Sequence, residues 1–357
     1  MMPEDYHHQF LRERSQEFGE DRCFICGRHI PLGDPFRTEE HVFPKWLQRE
    51  LDLWDGTVHQ LNDERLAYRR LTVPCCSPCN GGDLKAVEDR VKAAFLEGLE
   101  PFKRLDRRDL FIWFGKIYYG IVYKESLRPM LARDQDGQRL VPESHLKTVA
   151  FHHFLLQSAG GHVSWHPEQP GPASFHFFEC LDSDTSTRRF DYLDDLFVPV
   201  LGLRLGKIGV VCVLQDWGRS ENVQQLQLNA AREMQLHPTQ FREAYARLNY
   251  MTKVSWSDKK HMIIGGDGSA VVMAGDPGEF TGTFVVEDYA QILSSVWEVP
   301  LSSIYRDGST FSTICDPLGR PTPAKSHDVL FCAPLGSTGL WPGHLVDTSS
   351  HEHEALP

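Results

Sequence analysis

At 357 residues the chain exceeds one typical domain, so two folded units are expected, and its 41% hydrophobic and 24% charged residues exclude a disordered chain. The most apolar stretch, about 196–214, is interrupted by Arg204 and Lys207, which excludes a membrane span and suits buried strands. Thirty-seven basic against 49 acidic residues leave a net charge of −12, which argues against a surface that grips nucleic acid everywhere; up to residue 110 the balance is 17 − 21 = −4 and beyond it 20 − 28 = −8, so a local basic face in the first part remains open.

The opening decapeptide MMPEDYHHQF has neither a basic start nor an apolar stretch, so no secretory signal and a cytoplasmic location are expected. Five of the nine cysteines (Cys23, Cys26, Cys75, Cys76, Cys79) fall in the first 79 residues. In a reducing compartment, clustered cysteines bind metal more often than they form disulfides. Cys23-Phe-Ile-Cys26-Gly is half of a zinc knuckle, with the glycine that lets backbone amides fold toward sulfur. Cys76-Ser-Pro-Cys79 supplies the other half, and only Cys76 has two-residue spacing to Cys79, which leaves Cys75 as a buried thiol. A zinc ion held by the four would staple a long segment at one point, and structural zinc contributes on the order of 10–16 kcal/mol in small peptides. A thioredoxin-type redox motif needs one pair beside a βαβ unit, whereas here there are two pairs and no such pattern.

Between the pairs runs Thr38-Glu39-Glu40-His41-Val42-Phe43-Pro44-Lys45-Trp46-Leu47, and Asn80-Gly81-Gly82 follows the second pair directly. From about Asp83 an amphipathic helix is expected, with Leu84, Val87, Val91, Phe95 and Leu99 on one stripe. Cys-x-x-Cys, then Glu-His-Val-x-Pro, then Cys-x-x-Cys-Asn-Gly and a helix together resemble the HNH, or ββα-metal, endonucleases, in the branch with a four-cysteine zinc clamp. The resemblance covers about residues 20–100. It implies a ββα module with structural zinc and a metal-dependent endonuclease activity on DNA, with RNA also open; a large further domain attached to such a module is an arrangement seen in prokaryotic restriction and antiphage systems.

The chemistry of the residues agrees. Phosphodiester hydrolysis needs a base to activate water and a divalent cation to neutralise charge on the phosphate. His41 is suited to the base, and Glu40 and Asn80 offer an anionic and a neutral oxygen for magnesium or manganese, with water and phosphate filling the remaining positions. Strand alternation turns Glu40 away from His41 unless the strand twists or bulges there. Many members of the family place an asparagine a few residues before the second cysteine pair, where it orients the histidine; here that stretch reads Tyr68-Arg69-Arg70-Leu71-Thr72-Val73-Pro74, and Asn62 or His59 are the candidates for the role. Lys45, Arg65, Arg69, Arg70, Lys103, Arg104, Arg107 and Arg108 flank the proposed site as phosphate contacts, or form a solvated face balanced by Asp63, Glu64, Asp106 and Asp109. The competing reading is a non-catalytic zinc-dependent module that binds nucleic acid or protein.

Residues 109–125, apolar nearly all round with Gly115 and Gly120 inside, are expected to form a buried helix joining an HNH module (20–108) to a mixed α+β domain (109–348), so the fold class is α+β. Further along, a turn is expected at Asp134–Gly137 and a loop at Ser158–Pro172; strands at Ser174–Cys180, Phe197–Leu205, Ile208–Leu214, Ala270–Ala274 and Thr281–Val286; and helices at Thr239–Leu248 and Asp288–Trp297. Gly265-Gly266-Asp267-Gly268 lacks the Lys-Ser/Thr of a phosphate loop and reads as a hairpin turn. His152, His153, His162, His166 and His176 have no cysteine or carboxylate at ligand spacing, so ordinary core or surface histidines are expected. Residues 1–19 are an N-terminal extension and 349–357 a polar tail. The second domain is the natural place for target choice, regulation or a protein partner, and the sequence leaves the oligomeric state open.

Overall fold

The computed structural model describes residues 19–59, 65–128, 143–182, 189–195, 197–222, 225–255, 261–266, 269–275, 284–324, 329–335 and 344–347. The fold is mixed α+β and divides into two compact units, 1–173 with 214–218 and 258–277, and 174–213 with 219–257 and 278–357. The boundary expected at 108/109 therefore falls inside the first unit, which retains the apolar helix. Asn62, the turn at 134–137 and the tail 349–357 lie outside the described residues.

The first unit begins with β1 (Arg37–His41), α1 (Lys45–Glu50), the short pair β2 (Thr57–His59) and β3 (Arg65–Ala67), and β4 (Thr72–Cys76). Strands β1 and β4 pair antiparallel in unbroken register, Arg37 opposite Cys76 through His41 opposite Thr72. Pro44 ends the strand region as expected and serves as the N-cap of α1, since its fixed φ suits a helix start. A π-turn over Cys79–Leu84 leads into α2 (Lys85–Glu97), whose buried stripe is Val87, Val91 and Ala94. The helix stops two residues before Leu99. Gly98, at φ +108°, adopts a conformation closed to other residues, and α3 (Leu99–Lys103) starts beyond it.

Helix α4 (Arg107–Ser126) is the apolar helix, capped by the Asp106 side chain accepting from the Arg108 amide, and nearly every residue on it is buried. Its two glycines mark close approaches. A Cβ at Gly120 would lie 3.0 Å from Val42, and one at Gly115 would lie 3.0 Å from His152 of α5 (Glu143–Leu156). The loop expected at 158–172 contains the short β5 (Val163–Trp165), which pairs parallel with a later strand, Val163 opposite Ala270.

The second unit is built on a four-stranded sheet in the order β6 (Ala173–Glu179), β9 (Ile208–Leu214), β8 (Val200–Leu205), β7 (Phe190–Asp195). Expectations for β6, β8 and β9 agree to within three residues, but β7 was not expected. Two helices, α6 (Leu226–Arg232) and α7 (Pro238–Ser255), follow, with Phe241, Tyr245 and Leu248 of α7 buried among Phe178, Val200, Val211 and Val213. Strands β10 (His261–Gly266) and β11 (Ser269–Ala274) pair antiparallel in the first unit, with Gly266 opposite Ser269; the turn residues Asp267 and Gly268 lie outside the described residues. Val286, expected at the end of a strand, instead opens helix α8 (Val286–Trp297).

Candidate active site and metal centre

Four cysteine sulfurs, Cys23, Cys26, Cys76 and Cys79, lie within 4.8 Å of one another, and no other group of three or more metal-ligating side chains occurs among the described residues. The Cys26 and Cys76 sulfurs are 3.6 Å apart, close to the roughly 3.8 Å edge of a tetrahedron of thiolates about zinc. Gly27 takes φ +69°, and its amide and that of Cys26 turn back onto Cys23, at 2.8 Å to the carbonyl and 3.5 Å to the sulfur. The second half differs in form. Cys76 ends β4 and Cys79 opens the π-turn, so the strand and the turn together present the other two sulfurs.

Hydrogen bonding from Cys23 and then Cys79 holds the Cys26 thiol far below the ordinary thiol range, whereas the Cys23 thiol, bonded to Cys26 and Cys75, is pushed up to about 12. The four clustered sulfurs are a donor set that a soft or borderline cation such as zinc could take as four thiolates. Cys75 is buried and accepts from Cys23 at 3.8 Å, outside the four-sulfur group. The knuckle is braced from behind: His153 of α5 and Gln157, just past its end, both meet the Ile25 carbonyl, at 2.5 and 2.7 Å, and the Tyr119 ring stacks on His153 at 4.8 Å. The Phe24 amide donates to the Pro74 carbonyl at 2.9 Å, joining the first knuckle to β4.

Register along β1 decides the next layer. Arg37, Glu39 and His41 face one way, with Arg37 paired to Glu39 at 3.3 Å, while Thr38 and Glu40 face the other. No bulge turns Glu40 toward His41. Asn80, one residue past Cys79, sends its amide nitrogen to the Thr38 hydroxyl at 3.0 Å and the Glu39 carbonyl at 3.4 Å, so it lies against the Thr38/Glu40 face. Its oxygen Oδ1 accepts no hydrogen bond among the described residues.

Glu40 is buried, and its Oε1 is bonded to Nζ of Lys116 on α4, a lysine whose side chain is 1% exposed. The same ammonium reaches Glu88 Oε1 on α2 at 2.5 Å. Burial pulls the Lys116 ammonium toward neutrality, but the two carboxylates outweigh burial and hold it above the ordinary lysine range. Glu40 is raised by burial, which the Lys116 charge only partly offsets. Oε2 of Glu40 and of Glu88 accept no hydrogen bond among the described residues.

His41 is half-buried, stacks loosely on Trp54 at 6.3 Å, and hydrogen-bonds the Arg69 backbone. Burial, with the Lys45 and Lys116 charges, pushes it down to about 4, so the ring is neutral at pH 7. The Arg69 backbone is thus one group that orients the ring; Asn62, a candidate for that role, lies outside the described residues. Arg49 lies over the far part of the Trp54 system at 5.8 Å.

The basic residues separate into two groups. Arg107 bonds the Pro170 and Ala173 carbonyls at 2.6 and 2.8 Å, Arg108 the Ser158 carbonyl, Lys103 the Glu100 carboxylate at 2.7 Å, and Arg69 the Trp54 carbonyl and Asp55. Arginines 107 and 108 thus secure the first unit's own loops. Lys45, Arg65, Arg70 and Arg104 are exposed and make no ion pair among the described residues. Spacing and motif do not single out Lys116, Glu88 or Trp54; the one clue in the sequence is Lys116 itself, the single charge between Asp109 and Lys124 in an apolar helix.

The histidines expected to be ordinary have protein partners or none: His152 donates to the Gly115 carbonyl at 3.0 Å, His153 to Ile25, and buried His176 meets Ser220 at 2.9 Å. Arg232 donates to His176 Nδ1 at 3.0 Å, which makes Nε2 the donor to Ser220 and leaves no base for a serine nucleophile. No helix among the described residues is long and apolar enough to cross a membrane. No protein-family model, curated protein or solved structure matches the chain.

Proposed function

We propose that the first unit is a phosphodiester hydrolase of the HNH type, an endonuclease acting on DNA, with zinc in the four-cysteine group and magnesium or manganese at Glu40 and Asn80. What carries it is the hydrogen bond from Asn80 to Thr38, because it brings the residue after Cys79 against the strand face that bears Glu40, while His41, the next residue of β1, stands on the other face. Glu40 Oε2 and Asn80 Oδ1 are hard oxygens without hydrogen-bond donors among the described residues, the kind of ligand a small divalent cation takes. Such a cation would neutralise charge on the scissile phosphate and the departing oxygen.

His41 stays neutral at pH 7 and has one nitrogen committed to the Arg69 backbone, so the other is available to take a proton from water. Lys45, Arg65 and Arg70, exposed beside the β1–β4 end, would hold the flanking phosphates, giving affinity without sequence choice. The second unit, which carries more of the acidic excess, would select the target or a protein partner, in keeping with a role in restriction or antiphage defence.

A second reading, a zinc-dependent binding module without catalysis, draws on the burial of Glu40 against Lys116. Incubation of the full chain with supercoiled plasmid and magnesium separates the two. Wild type should nick the plasmid, and His41→Ala should be slower by about 100-fold or more with unchanged zinc content. Equal behaviour of the two proteins across magnesium, manganese and both nucleic acids would favour the binding module.

A further inference from the structure

The ammonium of Lys116 is shared. It contacts Glu40 Oε1 from β1 and Glu88 Oε1 from α2, and it reaches neither from solvent, being sealed on the buried face of α4. Two carboxylates and one ammonium leave this triad with a net charge of −1. Both carboxylates keep their second oxygen without a hydrogen-bond donor among the described residues. Lys116 and Glu40 are enclosed, with side chains 1% and 9% exposed, while the third charge, on Glu88, is 20% exposed and reaches solvent.

We propose that Glu88 and Lys116 are positioning residues that set the strength of the divalent-cation site at Glu40. Lys116 fixes Glu40 through one oxygen, and Glu88 draws off part of the lysine's charge, so that Glu40 keeps enough negative charge on its other oxygen to attract a cation. With Glu88 absent, Lys116 would neutralise Glu40 completely. With Lys116 absent, the pair of carboxylates would attract a cation more strongly. The inference rests on the proposed assignment of the cation to Glu40.

Manganese binding to the zinc-loaded full chain, followed by electron paramagnetic resonance of the free ion, tests this without any turnover. Glu88→Gln should weaken manganese binding by about fivefold or more, and Lys116→Met should tighten it by a similar factor, because one charge is removed or exposed within a few ångströms of the site. Both variants break the same ion pair, so a purely structural role would move the two affinities in the same direction. That result, or no change in either, would overturn the proposal.

If Lys116→Met does not fold, the double variant Lys116→Met/Glu88→Gln keeps the net charge at −1 and should bind manganese within about twofold of wild type. A double variant as weak as Glu88→Gln would count against the proposal. Glu40→Gln serves as the separate control on the underlying assignment: undiminished manganese binding in that variant removes the cation from Glu40, whatever the other variants do.

Discussion

A histidine and an asparagine could be read from the sequence because their meaning lies in their spacing from the cysteine pairs. Lys116 and Glu88 could not, since a charge on an apolar helix or on the polar side of an amphipathic one becomes informative only when distant segments meet around it. The same holds for His41, whose orientation comes from a backbone carbonyl, a group that every residue carries. At this scale His152 gives a prediction in pH. Burial pushes it down to about 4 in the folded chain, while an unfolded histidine titrates near 6.5. Between those values the unfolded chain binds more protons, so stability is intact above pH 6.5 and declines as pH falls toward 4, by about 3 kcal/mol from this residue. Urea unfolding should show a shallower loss between pH 6.5 and 4.5 in His152→Gln than in wild type; parallel curves would contradict the assignment.

Among the elements, those with a single strong period were legible: β9, α7 and the apolar helix α4. Strand β7, Phe-Asp-Tyr-Leu-Asp-Asp, was hidden by its acids. Asp191 stands opposite Arg204 on β8 and bonds it at 2.6 Å, so an apparently loop-like aspartate is a buried partner inside the sheet. The reach of α2 was overestimated because Leu99 continues the apolar spacing across Gly98, whose backbone cannot continue the helix. Glycines inside α4 looked like weaknesses and are contact points. Replacing Gly120 by alanine gains helix propensity of about 1 kcal/mol but forces a methyl against Val42, the residue after His41, at a cost of about 1–3 kcal/mol. Thermal denaturation of Gly120→Ala should therefore show a lower midpoint; a higher one would mean that Val42 yields freely.

At the scale of the whole molecule the chain divides into two compact units, and the apolar helix α4, which an apolar pattern alone suggests as a connector, is buried within the first. Each unit has its own buried core, and the four-cysteine group belongs to the first alone. Calorimetry of Cys79→Ser should show loss of bound zinc together with a lowered or missing transition for the first unit, with the second unit's transition preserved. Full zinc content in that variant would mean that other ligands hold the metal. The central claim, that a sulfur clamp brings Asn80 against the Glu40 face of β1 to make a cation site, with His41 the next residue along the strand, is tested most directly by anomalous scattering from crystals grown with zinc and manganese. The expected map has zinc among the four sulfurs and manganese bonded to Glu40 Oε2 and Asn80 Oδ1. Manganese elsewhere, with Glu40 still closed against Lys116 and Asn80 Oδ1 turned to water, would contradict it.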